Sequence, residues 1–181
     1  MLAYDYMLRR FTEAGDTAMV RKLAAAPATL EGGTPAAYLT VRDEAMHRLG
    51  VGTMHDMDAV VSGLFLRSLR FREFTLGDKV NLWRAKRAAG VSVVWDEVLA
   101  TDLVATVPAL TIPVSFLHGV HDYTVSYPLA RDYFARLRAP VKGFYTFERS
   151  AHSPNFEEPE EVLRILREDV LAGTNHLADP K

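Results

Sequence analysis

A chain of 181 residues with 49% hydrophobic and 24% charged side chains has the composition of one globular domain with a sizeable core, and disorder is not expected. Its formal net charge of -2 and isoelectric point near 6.3 offer no basic footprint for nucleic acid or an anionic membrane, so small neutral or mixed substrates fit better. The absence of cysteine rules out disulfides, thiolate zinc sites and a cysteine nucleophile; no stretch approaches the roughly 20 apolar residues of a membrane span, and "MLAYDYMLRRFTEAG" is too interrupted by charge for a signal peptide, so a cytoplasmic setting is expected.

The first hundred residues read as helices separated by Gly and Pro. In "LAYDYMLRRFTEAG" the apolar positions Leu2, Tyr6, Met7 and Phe11 recur at helical spacing, and Gly15 stands where the helix should stop. "DTAMVRKLAAAP" begins on an N-capping residue, Asp16, and is closed by Pro27. "TPAAYLTVRDEAMHRLG" has Thr34 as N-cap, Pro35 at the first helical position and Gly50 as its stop. Two further helices are expected at Asp56 to Phe65 and Asp78 to Ala89. Beyond about Thr106 a β-rich run, Ile112 to Leu117, is followed by helical spacing through Leu129, Tyr133, Phe134 and Leu137. A second strand follows in "VKGFYTFE", then a final helix in "EEPEEVLRILREDVLAG", with acidic residues at its N-terminal end and Gly173 at its C-terminus. Strand, helix, strand, helix implies parallel strands in an α/β layer, although two strands are too few for a finished parallel sheet.

"FLHGVHDYTV", residues 116 to 125, carries the functional question. His118, His121 and Asp122 are potential metal ligands, but a His pair three apart suits a helix better than the corner where a strand enters a loop. Asp122 alone is as readily a turn residue, and His152 in "ERSAHSPNF" taken alone reads as a structural loop histidine. Taken together they read differently. Parallel strands bring both loops to the C-terminal edge of the sheet, where open α/β sheets bind ligands. A carboxylate there fixes the tautomer of an imidazole and stabilises the imidazolium, so that the histidine can act as a general base.

The strand, "HGVHD", helix, strand, "SAHSP" and acidic helix start resemble the C-terminal part of the α/β-hydrolase family, in the group related to proline iminopeptidases. In that family the triad runs nucleophile, acid, histidine. The resemblance makes Asp122 the acid and His152 the base. It makes residues 1–107 a helical lid region and 108–181 the C-terminal part of the core, so the expected fold is a partial α/β-hydrolase: a mostly helical lid followed by the last two strands and helices of a parallel sheet. It implies a hydrolase of ester, amide or peptide bonds in small-molecule substrates, with no cofactor and no metal. His118 would end the strand, His121 would be a variable loop residue, Ser153 and Pro154 would shape the histidine loop, and the "EEPEE" run would be a solvated helix start. Trp83, Trp95, Phe65, Phe71 and Tyr38 read as lid core.

The family's Gly-x-Ser-x-Gly elbow and His-Gly-Gly oxyanion loop do not occur in this sequence. "GVSVV" at 90 to 94 has Val94 where the second glycine should stand, and Ser62 has Val60 two residues before it. The chain therefore reads as the second half of a hydrolase, inactive by itself. The competing reading is a non-catalytic fragment or interaction module. In either case the exposed sheet edge would recruit a partner: the missing N-terminal half, a second copy, or a helix folded back over it.

Overall fold

The computed structural model describes residues 2–28, 36–88, 97–98 and 100–180. It is mixed α/β and mostly helical, with one parallel two-stranded sheet. Its contacts gather into two compact units, residues 1–57 with 103–181 and residues 58–102.

In the first unit, α1 (Leu2–Glu13), α2 (Thr17–Ala25) and α3 (Ala36–Arg48) form a helical layer. The apolar positions of α1 and α2 point inward: Met7, Phe11, Met19 and Leu23 meet Tyr38, Ala45, Met46 and Val51 in one core, and each fully buried side chain contributes about 2 kcal/mol. Gly15 and Gly50 end α1 and α3 at positive φ, 69° and 65°, where a residue with a Cβ would be strained. In both, the chain folds back on itself. Asp16 N–H reaches Phe11 O at 2.9 Å, and Val51 N–H reaches Met46 O at 2.9 Å, satisfying carbonyls the helix leaves open. Asp16 then caps α2 by accepting from Met19 N–H at 2.9 Å. The expected caps Thr34 and Pro35 lie outside the described residues.

The α/β part of this unit runs from α6 (Leu103–Thr106) through β1 (Val114–Gly119), α7 (Tyr127–Arg136), β2 (Lys142–Phe147), α8 (Pro154–Glu157) and α9 (Pro159–Ile165), ending in a π-helical turn, Leu166–Val170. β1 and β2 pair in parallel from Val114 opposite Lys142 to Gly119 opposite Phe147. β1 therefore lies two residues later than the sequence run predicts: Ile112 is exposed, Pro113 has no N–H to give, and pairing continues through His118 and Gly119. Phe116 and Phe144 stack at 5.8 Å on one face with Phe134 of α7, while Tyr145 and Phe147 pack on the other with Val162 and Ile165. The final acidic helix is broken. Proline disfavours helical geometry in the residue before it, and Glu158 accordingly sits at φ -130° and ψ 55° between α8 and α9.

The second unit holds a π-helical turn, Val61–Phe65, running into α4 (Leu66–Ser68), and then α5 (Leu76–Ala88). The helix expected from Asp56 starts later, as the π-helical turn at Val61; before it, Val51, Gly52 and His55 are bonded to loops of the first unit. Helix α5 starts earlier than Asp78, on a reciprocal cap: Asp78 N–H donates to Thr75 Oγ1 at 3.1 Å and Thr75 N–H to Asp78 Oδ2 at 2.9 Å. Of the aromatic residues expected in the lid core, Tyr38 is buried in the helical core of the first unit. Phe65 and Trp83 meet at 5.4 Å, Phe71 is half exposed, and Trp95 lies outside the described residues. No helix among the described residues is long and apolar enough to cross a membrane.

Candidate active site

β1 delivers Asp122 and β2 delivers His152 on the loops that leave their C-terminal ends. The loops can meet there because of one glycine. A Cβ on Gly119 would fall 2.1 Å from the carbonyl oxygen of Ser150 and 2.2 Å from that of Ala151, so the backbone of the histidine loop lies directly over the end of β1. His121 N–H then donates to Ser150 O at 3.2 Å.

Asp122 is 2% exposed. Its Oδ1 accepts from Thr124 N–H at 2.8 Å and Val125 N–H at 3.0 Å, an Asx turn that fixes the carboxylate from within its own loop. Its Oδ2 accepts from His152 Nδ1–H at 2.9 Å. That bond makes Nε2 the unprotonated nitrogen of neutral His152, on a side chain that is 40% exposed. The bond to Asp122 raises the His152 pKa above the ordinary imidazole value; burial and the positive charge of Arg42 oppose it. Arg42, on α3, donates to the carbonyl of Thr124 at 3.4 Å.

His118 and His121 part company. His118 is buried, donates Nε2–H to Val125 O at 2.9 Å and lies 3.3 Å from Asp122 Oδ2, and burial lowers its pKa, so it props the carboxylate as a neutral ring. His121 stacks on His55 with ring centroids 4.0 Å apart. Among the described residues no group of three His, Asp or Glu side chains converges as a metal site. Ser62, in the second unit, donates to Ala59 O at 3.2 Å, and Ser92 lies outside the described residues.

The "EEPEE" run is not merely a solvated helix start, as its composition suggests. Glu158 accepts from Ser150 Oγ at 2.8 Å and Arg149 N–H at 3.1 Å, and Glu157 accepts from Ala151 N–H at 2.9 Å and from His55 N–H. Both carboxylates fold back onto the histidine loop. The signal available in the sequence was Pro159, which breaks the helix after Glu158 and turns the pair away from a regular helical face.

A probable aminopeptidase of Bacillus subtilis (strain 168), YbaC, is 38% identical to this chain over 71 residues, 39% of the chain and 22% of that protein. The chain thus spans about a fifth of the length of the curated relative it matches. No family model and no solved structure matches it.

Proposed function

We propose that the chain is the C-terminal part of an α/β-hydrolase of the proline iminopeptidase-related group and supplies the acid and the base of a Ser-His-Asp mechanism acting on ester, amide or peptide bonds. The observation that carries this reading is the 2.9 Å bond between Asp122 Oδ2 and His152 Nδ1, on loops that follow two adjacent parallel strands. The name of the relative, a probable aminopeptidase, supports a peptide-like substrate. Residues 1–107 serve in this reading as the lid region and 108–181 as core. His152 Nε2 takes the proton of a serine hydroxyl as its oxygen attacks the acyl carbon, then gives that proton to the departing amine or alcohol; water repeats the cycle on the acyl-enzyme. Asp122 holds the ring in the required tautomer throughout. The serine and the oxyanion donors come from sequence outside these 181 residues, in which neither family motif occurs.

The test is hydrolysis of aminoacyl p-nitroanilides by the complete enzyme, in which His152→Ala lowers turnover by about three orders of magnitude or more. Turnover close to wild type overturns the reading. A second reading, a non-catalytic module that docks on another polypeptide, is favoured by the single sheet pairing of β1 among the described residues. A fluorophosphonate probe separates the two. Labelling of the complete protein that His152→Ala abolishes supports the enzyme; a complete protein that stays unlabelled supports the module.

A further inference from the structure

Asp122 is fixed by its own loop, but His152 is not. Its side chain is 40% exposed, and its orientation depends on the backbone of residues 150–152. That backbone is held by the acid loop, through His121 N–H on Ser150 O, and also from outside the α/β part. Residues 49–55, which follow α3, run past both loops: Val51 O accepts from Tyr123 N–H at 3.2 Å and Gly52 O accepts from His152 N–H at 3.3 Å. Gly52 itself runs close against the buried His47, where a Cβ would come 3.0 Å from Nε2. One residue before His152, Ala151 N–H donates to Glu157 Oε2 at 2.9 Å, while Glu157 Oε1 accepts from His55 N–H. His55 in turn bonds Gly50 O through Nδ1 at 2.7 Å and stacks on His121 of the acid loop.

We propose that Glu157 is a positioning residue for His152: its two carboxylate oxygens tie the histidine loop to the segment 49–55, and that tie keeps the imidazole on Asp122. The proposal rests on reading Asp122 and His152 as the acid–base pair. The chemistry explains why a carboxylate stands here. Two backbone N–H donors converge, one from each segment, and only a carboxylate offers two acceptor oxygens; a glutamine would turn an NH2 toward one of them. Ala151 N–H and His152 N–H are the consecutive donors of one short stretch, bound in sequence to Glu157 and to Gly52. Freeing the first lets the peptide between them turn and swings the ring off a carboxylate that does not follow.

The experiment is proton and nitrogen NMR of this chain, following the low-field His152 Nδ1–H resonance and the His152 titration. Glu157→Ala is expected to lose the low-field resonance and to move the His152 midpoint down toward the ordinary imidazole value of about 6.5. Glu157→Gln is expected to fall between it and wild type. Glu160→Ala, an exposed neighbour on α9, should change neither. The other groups acting on His152, namely Asp122, Arg42 and His118, stay in place in all three variants. A folded Glu157→Ala with both signals unchanged overturns the proposal and leaves Glu157 a prop for the loop alone. If that variant does not fold, an unchanged Glu157→Gln overturns it equally. Asp122→Asn distinguishes the two failures: if it leaves the His152 titration unmoved, the acid–base reading itself falls, whatever Glu157 does.

Discussion

Residues 1–57 with 103–181 bury Met7, Met19, Leu23, Met46, Phe144 and Tyr145 almost completely. Residues 58–102 leave Leu76 83% and Val80 57% exposed, and no described hydrophobic side chain of that stretch is buried. Helices α1, α2 and α3 of the first unit are therefore held by tertiary burial, while α5 rests on its Thr75 and Asp78 cap, its backbone bonds and the contact of Trp83 with Phe65. The candidate pair sits wholly on the first kind of structure. A side chain that must keep a 2.9 Å bond in register needs a backbone fixed by many neighbours, and only that unit provides one.

This contrast can be broken most severely at Gly119. Gly119→Ala places a methyl group against the backbone oxygens of Ser150 and Ala151, so it should destabilise the first unit by about 3 kcal/mol and detach His152 from Asp122, seen as a lowered thermal midpoint and a lost Nδ1–H resonance. An unchanged midpoint would mean that the two loops are not in contact.

Next in size is Asp169. Fully buried, its carboxylate would be raised by burial, but Leu177 N–H, Thr174 Oγ1, His176 N–H and Tyr145 Oη all donate to it and hold its pKa at about 2. Burial and the same carboxylate push the Tyr145 hydroxyl up to about 12. A depressed carboxylate contributes stability that is complete above its unfolded value of about 3.9 and is lost as pH falls toward the folded one. The first unit should therefore lose stability between about pH 4 and pH 2. Asp169→Asn should cost about 2 kcal/mol at neutral pH and flatten that acid limb, as thermal unfolding against pH will show. A limb of the same steepness in the variant would remove Asp169 from the account. The smallest effect belongs to the other unit. Thr75→Ala should cost about 1 kcal/mol, appear as faster amide exchange within residues 76–88, and leave the His152 titration where it was.

The sequence made visible what local chemistry dictates. Gly15, Gly50 and Gly173 were readable as helix stops because positive φ admits little else, and all three take it. Asp122 and His152 were readable as neighbours because parallel strands carry successive loops to one edge. Their catalytic role remains a proposal. Glu157, Glu158 and the segment 49–55 were not readable in these roles. Acidic residues beside a helix start look solvated in a linear pattern, and "LGVGTMH" has no periodicity to betray that its carbonyls meet residues some seventy and one hundred positions away. Asp169 was hidden for the same reason, inside a run that reads as an amphipathic helix but ends in a turn closing over it.

The tail of the chain lies along the outer side of β2. Asp179 N–H donates to Phe144 O at 2.8 Å, its carboxylate accepts from Thr146 N–H at 3.1 Å, and Asn175 Nδ2 donates to Lys142 O at 2.8 Å. This flank of the ladder is already spoken for by the molecule itself, and among the described residues β1 pairs with β2 alone, so the sheet has a direction of growth: an added strand would lie beside β1 and not beside β2. Growth from one flank is self-limiting, because two copies joined there would have no second flank to offer. Strand-mediated assembly of this chain is therefore expected to close at a pair instead of running on into a fibre.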